Sequence, residues 1–238
     1  MKFILLSKKR LVYGAVVVLI SIIALAGMFI MLSKDAVPTL QMDPYYQGNI
    51  NDPNVALTIN VDWGEEIIPG MLDVLKEKNV KATFFITGRF ADKFPDIIKT
   101  IVKEGHEIGN HGYSHPHPDQ ISVEENKNEI LKTHNILKNF TDDDINLFAP
   151  PYGERGQNCL NACKELGYKT ILWTADTVDW QVPAPSVSTL VERVTGKKLT
   201  NGAIILMHPK AHTLEALPQI IETIEKKGYV LKKVSEIL

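Results

Sequence analysis

From residue 55 to the C-terminus, short apolar runs alternate with longer stretches in which apolar residues recur every three or four positions. The short runs have the length of buried strands, and the longer stretches have the period of amphipathic helices. The predicted strands are residues 55–62, 82–87, 107–110, 146–150, 170–175, 203–208 and 229–234. The predicted helices are residues 71–77, 94–103, 123–139, 158–166, 187–194 and 214–227.

Strands that alternate with helices indicate an α/β fold with a mostly parallel sheet, either open or closed into a barrel. Glycines at positions 105, 167 and 228 follow predicted helices, where a glycine cap is expected. About seven strands are enough for a barrel, but their number alone does not decide between the two forms.

The N-terminus has a different pattern. Residues 1–10 are basic, residues 11–32 form an uncharged apolar run, and residues 33–52 have the composition of a linker. The run is long enough for a transmembrane helix, and the preceding charges favour a cytoplasmic N-terminus. We therefore expect a single-pass protein of the cell membrane with residues 53–238 outside the cytoplasm. The alternative is a secreted protein, cleaved after a signal peptide near Ala24-Leu25-Ala26.

Composition narrows the class of partner. The 238 residues are 45% hydrophobic and carry a net charge of −2, which gives no electrostatic basis for nucleic-acid binding. Nothing in the sequence indicates a protein partner. The two cysteines, Cys159 and Cys163, fall on one face of a predicted helix, a poor geometry for a disulfide, and are expected to be buried thiols.

Candidate chemistry lies at the ends of the predicted strands. His111 and His115 are four residues apart and can reach one divalent ion, and a carboxylate beside them would complete a catalytic three-ligand site. His208 follows another strand and could protonate a leaving amine, with Asp176 as the carboxylate that orients its imidazole. Tyr152 and Trp180 could form the walls of a sugar-sized groove.

Four phrases together resemble a known family. They are residues 81–88 (KATFFITG), 105–111 (GHEIGNH), 150–153 (PPYG) and 206–208 (LMH), followed by the Gly-Tyr at 228–229 and residues 234–236. Residues 55–238 resemble the polysaccharide deacetylases of carbohydrate esterase family four. The resemblance implies a distorted parallel (β/α) barrel, the NodB-homology domain, over residues 53–238. It also implies removal of acetyl groups from peptidoglycan, chitin-like chains or xylan.

The resemblance also implies roles for individual residues. His111 and His115 would bind a divalent metal ion, with zinc expected first and cobalt or a similar ion as the alternative. His208 would be the catalytic acid and Asp176 its partner. The substrate-binding residues would be Pro151, Tyr152, Trp180 and Leu206.

The first family motif departs from the usual Thr-Phe-Asp-Asp-Gly. Here residues 58–64 (TINVDWG) are longer and contain one aspartate. Counting from the threonine puts Asn60 at the position of the catalytic base, whereas counting back from the glycine puts Asp62 there. We expect Asp62 to be the third metal ligand, with the role of base as its alternative. Asn60 cannot accept a proton, and the arginine that usually pairs with the base is Ala149.

The expected function is therefore a metal-dependent deacetylase of N-acetylated cell-wall glycan. Glu65 or Glu66 could replace the missing base, although acidic residues before a helix are ordinarily solvated. One alternative is a catalytically impaired glycan-binding or scaffold protein of the cell envelope, because of Asn60 and Ala149. A further alternative is a metal-dependent amidase that acts on an acetamide other than a glycan.

Overall fold

The computed structural model describes residues 8–33 and 44–238, which fall in two compact units divided after residue 41. In the first unit, helix α1 spans Lys8–Ser33 and includes the predicted anchor 11–32. Among the described residues, no helix combines the length and apolar character needed to cross a membrane. Much of the predicted basic segment and linker, residues 1–7 and 34–43, lies outside the described residues. The anchor stays a prediction.

The second unit alternates strands and helices. Its strands are β1 (Asn54–Val61), β2 (Thr83–Ile86), β3 (Glu107–Asn110), β4 (Leu147–Phe148), β5 (Lys169–Thr170), β6 (Ala175–Asp176), β7 (Ile204–Met207) and β8 (Val230–Lys232). Its helices are α2 (Ile68–Glu77), α3 (Gly88–Lys93), α4 (Pro95–Lys103), α5 (Val123–Leu137), α6 (Gln157–Glu165), α7 (Val187–Thr195), α8 (Ala211–Lys226) and α9 (Val234–Ile237). Short 3-10 turns lie at Pro118–Gln120 and Pro151–Gly153.

All strand pairings in the sheet are parallel, which confirms the predicted α/β class. The order is β5-β4-β3-β2-β1-β7-β6, and β8 pairs with the first residues of β1. Because β5 and β6 stand at the two ends of this order, the sheet is a curled half-barrel and not a closed one. The predicted strand 170–175 is divided between β5 and β6, since residue 171 forms a bridge with Tyr45 instead.

Strand β1 is an interior strand that pairs with β2, β7 and β8. Residues 55–61 are all buried, as expected for a parallel strand covered on both faces. A large apolar cluster packs the sheet against the surrounding helices, and a smaller one includes Val234 and Ile237 of α9. The backbone N–H of Val234 donates to Thr83 Oγ1 (2.9 Å) at the amino end of β2. Helix α9 therefore packs at the amino ends of the strands, and the polar residues gather at the carboxyl ends.

Both cysteines lie on α6 as buried free thiols, as predicted.

Candidate active site

A cavity of about 410 Å³ opens at the carboxyl ends of the strands. Its lining residues are Asn60, Trp63, His111, His115, Tyr152, Gly153, Trp173, Asp176, Trp180, Leu206 and His208. The cavity thus brings together most of the side chains that the sequence singled out. Asp62, Pro151, Glu65 and Glu66 are not among the lining residues, and Pro151 is buried at the start of the turn that carries Tyr152.

His111 follows β3 directly and is buried. Its Nδ1 lies 2.6 Å from the carbonyl oxygen of Ala149, which can only accept, so Nδ1 carries the proton and Nε2 keeps a free lone pair. Burial, reinforced by the neighbouring His115, lowers the pKa of His111 to about 3. The imidazole is therefore neutral, which is the form that binds a metal ion.

The two histidines are joined by a loop instead of a helical turn. His115 has a left-handed backbone (φ 58°), and the two imidazole centroids are 5.0 Å apart. Glu129 of α5 holds this loop, because its Oε2 accepts from the backbone N–H groups of Tyr113 (2.8 Å) and Ser114 (2.7 Å). Burial also lowers the pKa of His115.

Asp62 does not complete a three-ligand site. Its carboxylate accepts from Arg89, through Nε (2.6 Å) and Nη2, and from Thr87 Oγ1 (2.9 Å). In the described part of the chain, no group of three His, Cys, Asp or Glu side chains could hold a metal ion. The guanidinium at the start of α3 engages both carboxylate oxygens of Asp62, and its role as third ligand stays a prediction.

Asn60, unlike Asp62, lines the cavity. It is the penultimate residue of β1, its side chain is in the cavity wall, and it is 6% exposed. Its Oδ1 has no hydrogen-bond partner among the described residues. Two neutral imidazoles and an unpartnered amide oxygen therefore share one cavity.

The carboxylate that holds His208 is Asp179 and not the predicted Asp176. His208 Nδ1 donates to Asp179 Oδ1 (2.7 Å), and its backbone N–H donates to Oδ2 (2.7 Å). Thr213 Oγ1 also donates to Oδ2 (2.7 Å). Burial alone would raise the pKa of Asp179, but these hydrogen bonds and the charge of His208 outweigh it, so the pKa is lowered.

Backbone conformation explains the exchange of aspartates. Val178 has a left-handed backbone (φ 55°), which is rare for a β-branched residue, and the chain turns there between the two carboxylates. Asp176 Oδ1 instead accepts from the N–H of Val178 (2.7 Å), and Asp176 lines the cavity. Burial raises the pKa of Asp176. The spacing of the two aspartates carried no signal that could separate them.

Aromatic side chains surround the cavity, and sequence reasoning missed two contacts among them. Trp63 stacks on His208 with centroids 6.2 Å apart, and Tyr152 is stacked on His117 at 4.0 Å. Tyr152 also meets His115 edge-on at 4.7 Å. Trp63, Tyr152 and Trp180 all keep exposed surface, although His208 stacks on Trp63 and His117 on Tyr152.

The sequence is similar to those of known proteins. The family model described as "Polysaccharide deacetylase" matches residues 47–171. The chain is 41% identical over 200 residues to the uncharacterized protein YlxY of Bacillus subtilis, covering 84% of this chain and 62% of that protein. It is 40% identical over 188 residues to a peptidoglycan-N-acetylglucosamine deacetylase of Bacillus cereus, covering 77% of this chain and 67% of the relative.

A solved structure shares both the fold and the sequence pattern. BA3943 of Bacillus anthracis, described as a pseudoenzyme of carbohydrate esterase family 4, superimposes with a TM-score of 0.78 at 37% identity, over 83% of this chain and 69% of that one. A mutant of BA3943 described as having restored enzymatic activity matches with the same TM-score at 36% identity. From its sequence, its fold and the residues gathered in its cavity, this chain belongs to the polysaccharide deacetylase family, carbohydrate esterase family 4.

Proposed function

We propose that this protein hydrolyses acetamide groups of N-acetylated cell-wall glycan, with peptidoglycan as the first candidate polymer. The observation that carries the proposal is one cavity that contains His111 and His115 together with a His208 held by a buried carboxylate. Several relatives, including the Bacillus cereus protein, are named peptidoglycan deacetylases.

In this mechanism His208 is the proton donor to the leaving amine. Asp179 accepts from its Nδ1, which fixes the tautomer and orientation of the ring. His111 and His115 would hold a divalent ion, zinc in first place and cobalt as the alternative, which when bound polarises the acetyl carbonyl and activates water. Burial lowers the pKa of both imidazoles, which favours the neutral form that binds a metal ion.

The surroundings of the cavity fit a sugar. Trp63, Tyr152 and Trp180 contribute exposed aromatic surface against which the apolar face of a pyranose ring can pack. Leu206, buried in the cavity wall, offers an apolar surface for the acetyl methyl group.

A second candidate is a glycan-binding protein with little or no turnover. Three observations favour it: Asn60 cannot act as a base, Ala149 replaces the usual arginine, and Asp62 is occupied by Arg89. Asp176 is the one carboxylate among the lining residues of the described cavity, and it lies near His208 and Asp179. The similarity to the pseudoenzyme BA3943 supports this candidate as well.

Acetate release separates the candidates. The full-length protein is assayed on peptidoglycan, chitooligosaccharide and a small acetamide, with and without zinc or cobalt. Metal-dependent release from glycan that is lost in His208→Ala supports the deacetylase. The matched control is His134→Ala, because His134 bonds Tyr168 away from the cavity lining and should keep full activity. Glycan binding without release from any substrate would support the second candidate, and release from the small acetamide alone would indicate the non-glycan amidase.

For the N-terminus we propose a membrane anchor over residues 11–32 with the catalytic domain outside the cytoplasm, supported by the uncharged run and the basic residues before it. Secretion after cleavage is the alternative. N-terminal sequencing of the mature protein and its recovery in the membrane fraction would distinguish them.

A further inference from the structure

Asn60 has an environment that an ordinary buried asparagine does not have. It is nine-tenths buried at the end of the central strand, yet its Oδ1 has no hydrogen-bond partner among the described residues. Buried polar atoms are almost always satisfied, because desolvation without a partner is unfavourable. Thr58, two residues earlier on the same strand, illustrates the normal case, since its hydroxyl donates to Ile205 O (3.0 Å). A ligand in the cavity could therefore supply the partner that the Asn60 oxygen lacks.

The cavity also contains two imidazoles that can donate an electron pair to a ligand. His111 uses Nδ1 on the Ala149 carbonyl and so has Nε2 free, and His115 lines the same space. All three groups are neutral electron-pair donors. A divalent cation is the ligand that nitrogen and oxygen donors of this kind bind together.

We infer that the side-chain oxygen of Asn60 is the third protein ligand of a divalent ion beside His111 and His115, in place of Asp62. This inference rests on the metal use in the proposed function. Asp62 does not line the cavity, and its carboxylate already accepts three hydrogen bonds, from Arg89 and Thr87. A metal ion at Asp62 would compete with the pairing of its carboxylate with Arg89, whereas a metal ion at Asn60 Oδ1 displaces no hydrogen bond that the described residues make.

The amide ligand affects the affinity of the site for a divalent ion. A carboxylate ligand offsets part of the charge of the cation, and an amide oxygen does not. The site formed by two imidazoles and an amide is therefore weaker than one with aspartate at the same position. Asn60→Asp adds a negative charge where the lone pair already is, and we expect it to tighten binding.

Metal binding tests this without any requirement for turnover. Cobalt(II) is titrated into the full-length protein and followed by visible absorption and by competition with a chelator. We expect Asn60→Ala to weaken binding at least about tenfold and Asn60→Asp to tighten it at least about tenfold. Asp62→Asn is the matched control, and we expect less than about a threefold change. Because Oδ1 of Asn60 has no partner to lose, Asn60→Ala should fold normally, which circular dichroism verifies.

Three results would overturn the inference. The first is unchanged affinity in Asn60→Ala with a large loss in Asp62→Asn, since Asp62 would then leave Arg89 for the ion. The second is equal affinity in all variants except His111→Ala. The third is no cobalt uptake by the wild-type protein. Failure of the proposed function gives a different result: if the wild-type protein binds cobalt through Asn60 but releases no acetate from any substrate, the proposed enzyme activity is refuted and the ligand assignment stands.

Discussion

The Asp179 carboxylate accepts three hydrogen bonds in a fully buried place, and Asp179→Asn changes its charge while keeping its shape. Asparagine keeps one oxygen acceptor, and its Nδ2 takes the place of the other oxygen. At the position of Oδ1 the Nδ2 would face His208 Nδ1, and at the position of Oδ2 it would face both the backbone N–H of His208 and Thr213 Oγ1. Leaving a buried donor without its acceptor costs about 1–3 kcal/mol for each group. We therefore expect the free energy of unfolding at pH 7 to fall by about that amount.

Urea unfolding followed by tryptophan fluorescence measures this change, and Asp176→Asn is the matched control. Asp176 accepts from the Val178 N–H, a bond that an amide oxygen can retain, and burial already disfavours its charge. The control should cost less than about 1.5 kcal/mol. In the acetate assay, Asp179→Asn should lower the rate by roughly 10²–10⁴-fold, the usual contribution of a general acid.

The pH dependence gives an independent check. Because the folded-state pKa of Asp179 is lowered, its contribution to stability is present above its unfolded value of about 3.9 and is lost as pH falls through the folded pKa. Asp179→Asn should flatten the loss of stability below about pH 4. The Asp179–His208 pairing would be refuted if Asp176→Asn destabilised the protein as much as Asp179→Asn does. It would also be refuted if the wild-type protein and Asp179→Asn lost stability equally steeply below about pH 4.

Three further predictions use other parts of the same framework. Glu129→Ala should cost about 1.5–3 kcal/mol of unfolding free energy, because two loop amides lose a charged acceptor, and should weaken cobalt binding; unchanged binding would show that the histidine loop holds itself. Gly109→Ala should cost about 1–3 kcal/mol, since a Cβ there would lie 2.5 Å from the buried Phe85 ring, and a wild-type urea midpoint would contradict this contact. Burial, together with Lys81, lowers the pKa of His106 to about 4, so the free energy of unfolding should fall as pH drops from 6.5 to 4. Between pH 7 and pH 4, His106→Asn should lose about 3 kcal/mol less of this free energy than the wild type does. Equal losses in the two proteins would contradict a neutral buried ring.

The strands that carry the site were predictable because each is a buried apolar run with a local signature. The predicted strand 107–110 coincides with β3, and 55–62 differs from β1 by one residue at each end. The predicted strand 170–175 failed in its middle, where residue 171 pairs with Tyr45 from far upstream. Periodicity reports which residues are buried, and it contains no information about such a distant partner.

Side-chain partners were harder to predict for a related reason. Asp176 and Asp179 follow the same strand three residues apart, and the difference between them is made by one left-handed residue, Val178. Nothing in the type of a β-branched residue predicts that conformation. Likewise His115 reaches His111 through a left-handed loop held by Glu129, although a helical turn would have brought the same pair together.

The first motif contains a charge pair that counting positions in the sequence does not reveal. The usual base and its arginine are replaced by Asn60 and Ala149, yet a carboxylate and a guanidinium still form a pair close by, as Asp62 and Arg89. An unpaired buried charge is costly, so the two charges change together or not at all. In this chain neither Asp62 nor Arg89 lines the described cavity, while the Ala149 backbone accepts from His111. The acceptor that orients His111 therefore does not depend on the side chain at position 149, whereas the positive charge that an arginine there would supply is absent from the lining of the described cavity.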